Sequence, residues 1–383
     1  QVCPTRDPFG KDKNAPDITL TNARTAILTE DLPGRTACHY CGPCENGCST
    51  GSYFSSQSST LPAAAATGNL TLKSNAVVER LEYDKESGKI SKVHVIDANT
   101  KKRTAYSARI FFLNASTVGS TQLLLNSASE EFPDGLANRS GTLGHYLMDH
   151  FLGIGVAGMY SDNQDSYYYG NRPTGLYIPR FRNVQKQDED ADFIRGYGYQ
   201  TMVNSSNWMG QLNSKGFGAP LKDSLSKIPP TWTFYMGGFG ECLPQQRNRV
   251  YLSKTKKDRF GIPQVVFDFA WSDNEKAMAK DVKRQGERIQ KAAGAAYAMA
   301  FGDTENLSAP GAGIHEMGTA RMGDDPAQSV LNKHNQAHDI PNLFITDGSF
   351  MASSSCVNPS LTYMAFTARA CDYAVAQMQA GNI

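Results

Sequence analysis

The sequence predicts an α/β domain of the nucleotide-binding kind and, inserted in it, an α+β domain with a mainly antiparallel sheet. The first prediction rests on the apolar strand 109–113, which runs through a turn of small residues into a leucine-rich helix. The second rests on residues 151–270, where aromatic residues alternate with polar ones and turns are frequent. A chain of 383 residues is long enough for both domains.

The segments on either side of this strand predict the remaining elements. Residues 1–60 are rich in turn formers and poor in apolar periodicity, which indicates loop. Ser272-Asp-Asn-Glu275 is a capping box, and the helix that it opens runs to about Ala300. Alternation or apolar runs predict strands at 70–72, 76–83, 91–97 and 342–346, a hairpin turn at 84–88 and a final helix at 361–379.

These elements suggest four segments along the chain. The α/β part is built from both ends of the sequence, because its strands and helices lie before residue 150 and after residue 310. We expect a cysteine-rich loop at 1–60, the first part of the α/β domain at 61–150, a substrate domain at 151–310 and the second part of the α/β domain at 311–383.

Charge and hydropathy exclude some classes of function. Lys plus Arg, 38, nearly cancels Asp plus Glu, 37, which gives no reason to expect nucleic acid or an anionic membrane as a partner. No apolar run approaches the roughly 18 residues of a membrane span. No secretory signal opens the chain, and Gln1-Val-Cys-Pro resembles an interior segment, so any compartment address would lie upstream.

Four cysteines, Cys38, Cys41, Cys44 and Cys48, form a C-x2-C-x2-C-x3-C run. With Gly42, Pro43 and Gly47 bending the backbone, thiolates at this spacing can converge on one point, as in iron–sulfur proteins. Tetrahedral zinc and structural thiols are alternatives that stay open, although zinc sites usually use two separated C-x2-C pairs. The run predicts a redox centre, and Ser49 in place of the usual proline argues against a stand-alone ferredoxin.

Two carboxy-terminal segments carry most of the functional information. The first is Gly313-Ile-His315-Glu-Met-Gly-Thr319, and the second is Asp347-Gly-Ser349 followed by Cys356-Val-Asn358-Pro359-Ser-Leu361. In this order they resemble the glucose–methanol–choline (GMC) flavin oxidoreductases. Further resemblance lies at 114–127, 144–150, 248–253 and 257–263, so that it covers nearly the whole chain from residue 36.

The resemblance implies an FAD-dependent enzyme that oxidises a sugar or another alcohol by hydride transfer to flavin. It implies His315 as the base and Asn358 as the residue that holds the substrate oxygen. It places the Asp347–Gly348 turn near the ribityl chain or pyrophosphate, although Asp347 could equally cap a helix. Pro359 and Leu361, and Asn358 itself, would lie near the isoalloxazine, and Val78 near the adenine.

One departure concerns the flavin pyrophosphate. Members of the family begin with a strand, a G-x-G-x-x-G turn and a helix that bind it. We identify no such unit here, and expect that the chain lacks this amino-terminal Rossmann part, leaving the FAD-binding domain incomplete. Such a chain would bind FAD poorly without the missing segment.

The spacing of Cys38, Cys44 and Cys48 resembles the bacterial FAD-dependent sugar dehydrogenases in which three cysteines hold a [3Fe–4S] cluster. Cys41 is extra, so a [4Fe–4S] cluster is the alternative. This branch implies a small chaperone-like subunit, a cytochrome c acceptor and a periplasmic location. Two rival hypotheses stay open. One is an oxygen-using alcohol oxidase without a cluster. The other is a non-catalytic electron-transfer subunit, and the presence of both His315 and Asn358 argues against this second rival alone.

Overall fold

The structure, a computed structural model, describes residues 3–5, 18–41, 44, 47–161, 176–205, 216–227, 231–309 and 311–383. The expected bend at Gly42 and Pro43 therefore lies outside the described residues. The chain divides into two compact units. Unit 1 comprises 1–72, 153–239 and 277–306, and unit 2 comprises 73–152, 240–276 and 307–383.

The described part of the chain contains strands and helices of both kinds of domain that the sequence predicts. The strands are β1 Cys3–Thr5, β2 Ile18–Asn22, β3 Ala76–Asp84, β4 Lys89–Asp97, β5 Arg103–Tyr106, β6 Phe111–Leu113, β7 Gly155–Tyr160, β8 Leu176–Ile178, β9 Tyr197–Ser205, β10 Trp232–Gly240, β11 Arg249–Lys257, β12 Pro263–Asp268, β13 Tyr297–Phe301 and β14 Leu343–Ile345. The helices are α1 Thr60–Ala66, α2 Ser116–Asn126, α3 Gly218–Ser226, α4 Asp273–Ala292 and α5 Ser360–Gln379. None of the helices so described combines the length and apolar character needed to cross a bilayer.

Unit 1 is organised by a seven-stranded sheet in the order β1-β2-β8-β9-β10-β7-β13. Strand β7, next to the edge strand β13, pairs antiparallel with β10 on one side and with β13 on the other. The expected antiparallel sheet is therefore present. Its strands extend the prediction in one respect, because β1 and β2 come from the first sixty residues, where only loop was expected.

A buried ion-pair cluster stabilises unit 1. The guanidinium of Arg182, almost fully buried, donates to Asp281 on α4 over 2.9 Å and also pairs with Asp188 and Asp190. The Tyr197 hydroxyl donates to the same Asp281 oxygen over 2.7 Å. The two buried charges, those of Arg182 and Asp281, are therefore both paired, as buried charges in proteins generally are.

Unit 2 contains the parallel pair that the sequence predicts. Strand β14 lies parallel to β6, with Leu343 opposite Phe111, although the two strands are far apart in the chain. The hairpin of β3 and β4, with β5 beside it, forms a separate three-stranded antiparallel sheet. Apolar residues of β3, β4, α2 and β14 share one core, which joins both ends of the sequence.

Three sequence predictions need correction. Residues 70–72 are not a strand. Helix α4 begins at its capping box, where Glu275 accepts the backbone N–H of Ser272 over 2.8 Å, but it ends at Ala292 and not near Ala300, because Gly294 follows with a φ of +86°. The expected substrate domain is also not continuous, since 240–276 belong to unit 2 and 1–72 to unit 1.

The glycine pattern of a dinucleotide site does occur once, at Gly153-Ile-Gly155-Val-Ala-Gly158, but in the wrong structural context. Gly155 and Gly158 lie on β7, within an antiparallel sheet. A Cβ on Gly155 would lie 2.1 Å from the carbonyl oxygen of Met236, and one on Gly158 2.1 Å from the Gln290 amide oxygen. These glycines permit close packing and do not begin a phosphate-binding helix.

Candidate active site

The candidate active site of unit 2 starts from one antiparallel bridge. Met148 and Met317 exchange backbone hydrogen bonds of 2.9 Å in both directions. Two residues further along each segment, in opposite directions, this register places His150 opposite His315. The Nδ1 atoms of the two imidazoles lie 2.9 Å apart.

Asp149 holds the segment that carries His315. Its carboxylate, 1% exposed, accepts the backbone N–H groups of Gly311, Gly313, His315 and His150 at 2.8 to 3.2 Å. Burial raises the pKa of Asp149, and these four donors oppose that effect. The carboxylate therefore determines the path of the backbone that leads into His315.

Ile314 is strained in this segment. It has a φ of +52°, a region that a β-branched residue rarely occupies, and its side chain is 77% exposed. Strain of this kind persists only where surrounding contacts enforce it, and here the Asp149 carboxylate bonds the backbone on both sides of Ile314. The backbone conformation before His315 is thus imposed by tertiary contacts.

The loop before α5 completes the cluster. Its Ser355 carbonyl oxygen accepts a hydrogen bond from Nε2 of His150. Three residues later, the amide nitrogen of Asn358 donates to Nε2 of His315 over 3.0 Å. Ser354 anchors the loop, because its hydroxyl donates to the Cys242 carbonyl oxygen and accepts the Cys242 N–H. The structure therefore brings together the two residues, His315 and Asn358, that the sequence nominates for catalysis.

Burial keeps both imidazoles in the neutral form. It lowers the pKa of His150 to about 4 and lowers the pKa of His315 in the same direction, although the Asp149 charge partly opposes this at His315. A neutral imidazole can accept a proton at neutral pH. The electrostatics of the pair therefore suit a general base.

The Asp347–Gly348 turn is tightly packed. The Asp347 carboxylate caps the 3-10 turn Gly348–Phe350 by accepting the Ser349 N–H, and it also accepts the hydroxyls of Ser120 and Ser349. A Cβ on Gly348 would lie 2.4 Å from the Thr117 hydroxyl oxygen. The side chain of Asp347 thus takes the helix-capping role that was its alternative, and a cofactor contact of this turn stays a prediction.

The other predicted cofactor residues lie at separate places in unit 2. Val78, on β3, packs against the core. Pro359 is buried directly before α5, and Leu361, in its first turn, is 78% exposed. Contact of these three residues with a cofactor stays a prediction.

Helix α2 offers a further group of donors. Its N-cap is Ala115, whose methyl group cannot cap a helix, and the first turn carries no acidic residue. Asn114 and Ser116 beside it are small and exposed. Backbone N–H groups at such a helix start, with small polar neighbours, suit an anionic or hydroxyl-rich group.

The four cysteines of the run line one shared pocket in unit 1, together with His39, Tyr40 and Tyr53. The sulfur of Cys38 accepts the Tyr40 N–H and that of Cys48 accepts the Tyr53 N–H, both at 3.4 Å. The hydrogen bond with the Thr50 hydroxyl, and after it the one from the Tyr53 N–H, lower the pKa of Cys48 to about 6. Gly47 has a φ of +108°, so the expected bend is present there. Nevertheless, among the described side chains no three Cys, His, Asp or Glu converge closely enough to hold a metal ion.

Sequence reasoning missed Asp149 and His150 as members of the site. Both stand at the end of Gly144-His-Tyr-Leu-Met-Asp-His150, a segment that carried the family resemblance without an assigned role. The adjacent Asp-His pair after an apolar stretch was the available signal. Its partner in space, His315, lies 165 positions later, so the pairing itself was not visible.

Comparison with known families gives a consistent result. Two models described as GMC oxidoreductase match the chain, the N-terminal one over residues 21–152 and the C-terminal one over residues 244–367. The expectation that the family's amino-terminal part is absent from the chain is therefore not supported, because the N-terminal model matches residues 21–152.

Two curated relatives are similar over most of the chain. The 2-methyl-1,2-propanediol dehydrogenase of Mycolicibacterium austroafricanum is 34% identical over 91% of this chain and 62% of its own length. The fructose dehydrogenase large subunit of Gluconobacter japonicus is 30% identical over 80% of this chain and 54% of its own length. The chain thus spans less than two thirds of either relative.

A solved structure supports the fold. Pyridoxine 4-oxidase from Mesorbium loti matches with a TM-score of 0.52 and 18% identity, over 85% of this chain and 61% of that one. At this identity the likeness concerns the fold alone, with its combination of α/β and antiparallel parts.

Proposed function

The chain belongs to the GMC oxidoreductase family, and from this premise we propose that it carries the catalytic residues of an FAD-dependent dehydrogenase acting on the CH–OH group of an alcohol or sugar. The observation that carries the proposal is the contact between Nε2 of His315 and the amide of Asn358, at 3.0 Å. The contact supports the proposal because a neutral imidazole and an amide hydrogen-bond donor meet there.

Each of the two residues has a distinct role. The substrate hydroxyl enters between them, so that Asn358 donates to the substrate oxygen and His315 accepts the hydroxyl proton at Nε2. Flavin, when bound, supplies the acceptor for the hydride from the same carbon. Because His315 is neutral, it takes the proton without first losing one, and Asn358 keeps the oxygen aligned as charge develops on it.

Unit 2 offers hydrogen-bond donors that are suited to the polar groups of FAD. The uncapped start of α2, with Asn114 and Ser116, suits the polar chain of the cofactor, and the Asp347–Gly348 turn lies on the same unit. We assign Pro359 and Leu361 to the isoalloxazine side and Val78 to the adenine side. No step of the proposed mechanism depends on these last three assignments.

The names of the two relatives suggest a broad class of substrate. One relative is named for a small diol and the other for a ketose sugar. We propose a polyol or sugar substrate.

For the cysteine run, we propose an iron–sulfur cluster held by Cys38, Cys44 and Cys48, with or without Cys41. A common pocket, N–H donors to two sulfurs and the lowered pKa of Cys48 support it. Thiols at this spacing are suitable ligands for a cluster. Among the described residues, however, the sulfurs do not converge on one point, so their present positions do not match those of cluster ligands. An iron, zinc and acid-labile sulfide assay on the purified protein decides between a cluster, zinc and structural thiols.

A cluster would favour a dehydrogenase over an oxygen-using oxidase. We propose that the electrons then pass to a cytochrome-type protein and that the enzyme works in the periplasm. The name of one relative, a large subunit, supports a search for further subunits, including a small chaperone-like one.

The decisive test is anaerobic reduction of the bound flavin. The purified protein, with its flavin, is mixed without oxygen with a series of diols, polyols and sugars, and flavin absorbance is recorded. We expect bleaching by at least one member of the series and none by the matching carboxylic acids. A protein that binds FAD but is reduced by no alcohol in the series would overturn the proposal.

A further inference from the structure

We infer that His150 is a positioning residue that holds His315 in the tautomer with its proton on Nδ1, so that Nε2 is left as the basic atom. The inference deepens the proposed function and rests on it for its catalytic meaning. It rests for its geometry on three hydrogen bonds in a row, from Ser355 through His150 and His315 to Asn358.

The donor and the acceptor of each hydrogen bond can be assigned, because the chain of bonds begins at the Ser355 carbonyl oxygen, which can only accept. The carbonyl oxygen of Ser355 has no proton, so Nε2 of His150 must carry one and donate it. A neutral imidazole has a single N–H, which leaves Nδ1 of His150 as an acceptor. Burial, which lowers the pKa of His150 to about 4, keeps the ring in this neutral form at neutral pH.

The protonation of His150 also determines which nitrogen of His315 carries the proton. The two Nδ1 atoms lie 2.9 Å apart, and since that of His150 accepts, that of His315 must donate. His315 is therefore protonated on Nδ1, and its Nε2 carries a lone pair. The Asn358 amide nitrogen, which can only donate, lies 3.0 Å from that lone pair, so the last bond agrees with the first.

Two features hold this row of three hydrogen bonds, called the histidine relay below, in a fixed geometry. Antiparallel pairing of Met148 with Met317 fixes the backbones that carry the two rings, and Asp149 bonds the N–H of both His150 and His315. The rings meet edge-on, with centres 5.0 Å apart and planes at 77°. Without His150, the Nδ1–H of His315 would lose its acceptor, and the ring could place its proton on Nε2, where it would block proton acceptance.

The test is ¹⁵N NMR of histidine-labelled protein that carries its flavin, which reports tautomers without any need for turnover. The His315 signals are assigned from their loss in His315→Gln. In the wild type we expect His315 to be protonated on Nδ1 and His150 on Nε2, with a scalar coupling across the bond between the two Nδ1 atoms. A proton on Nε2 of His315 in the wild type would overturn the inference.

Two variants and a control complete the design. His150→Leu should convert His315 almost wholly to the Nε2-protonated tautomer and so lower kcat by roughly 10²-fold, the low end of general-base effects, with KM nearly unchanged. His150→Asn, whose amide oxygen can still accept near the Nδ1 position, should restore the tautomer and most of kcat. The control, His334→Gln, changes a ring that stacks on Tyr373 and should alter neither.

The outcomes separate the inference from the proposed function. If His150→Leu leaves the His315 tautomer unchanged while the enzyme oxidises alcohols normally, the relay is wrong and the function stands. If the tautomers are as inferred but no alcohol reduces the flavin, the function is wrong and the relay stands. Should His150→Leu not fold, the wild-type coupling and tautomers still decide.

Discussion

The amide nitrogen of Asn358 donates to Nε2 of His315 over 3.0 Å, although 43 positions separate the two residues in the chain. The contact joins a strained segment, held by Asp149, to the loop before α5. The substrate oxygen would have to enter at this bond. Its two partners therefore give the most direct tests of the site.

His315→Ala should abolish turnover, because it removes the proposed base and none of the proposed cofactor contacts. We expect kcat to fall by about 10² to 10⁴-fold with the flavin content unchanged. In the wild type, the acid limb of kcat/KM should lie below the usual histidine range, since burial lowers the pKa of His315. Steady-state kinetics over pH and flavin absorbance check both, and a loss below about tenfold would contradict the role.

Asn358→Ala should have a milder effect, since it removes one neutral hydrogen bond to the substrate oxygen. A bond of about 1 kcal/mol corresponds to roughly a fivefold loss in kcat/KM, and more if charge develops on the oxygen. Asn306→Ala, on an exposed loop, is the matched control. Loss of the flavin in Asn358→Ala, measured by absorbance, would show a structural role instead.

Cys44→Ser tests the cysteine run. If the run holds a cluster, the variant should lose iron and sulfide, and transfer to a cytochrome-type acceptor should collapse. A single anaerobic addition of substrate should still bleach the flavin, because His315 is untouched. Cys371→Ser, on α5, is the control. Transfer at the parental rate in Cys44→Ser would remove the run from the electron path.

Stability should depend on pH through His150. Burial lowers its pKa to about 4, against 6.5 in the unfolded chain. Between these values only the unfolded chain binds the proton, so the free energy of unfolding should decrease as pH falls from 6.5 to 4, by at most about 3 kcal/mol.

The measurement is denaturant unfolding across that window, for the wild type and for His150→Asn. Burial raises the pKa of Asp149 and of Asp347, which gives a dependence of the opposite sign. The difference between the two proteins isolates His150. Equal pH slopes would contradict the prediction.

Asp281→Ala should destabilise unit 1 strongly. It leaves the buried Arg182 guanidinium and the Tyr197 hydroxyl without their shared acceptor. Breaking a buried pair in this way costs about 3–5 kcal/mol. Asp223→Ala, which removes an exposed pair with Lys227, should cost under about 1 kcal/mol and is the control. Similar midpoints for the two variants in urea would refute the importance of the buried cluster.

Short sequence patterns correctly predicted those elements that depend on a capping motif, a turn or an apolar run. The capping box at Ser272 begins α4, the 84–88 turn joins β3 to β4, and the apolar strand at 109–113 pairs with β14. The end of α4 was mispredicted because the helical spacing was continued past Gly294, and the left-handed conformation of that residue ends the helix. Residues 297–301 then alternate and join β7 as β13.

By itself, the sequence determined the family, the two kinds of sheet and the nomination of His315 and Asn358, because motifs and periodicity are properties of short segments. Only the tertiary structure decided that His150 lies against His315, since the two histidines are 165 positions apart in the chain and their contact depends on the register of Met148 with Met317. It also decided that Asp149 imposes the strained backbone at Ile314. Long-range pairing brings these groups together, and no local preference of the chain encodes it.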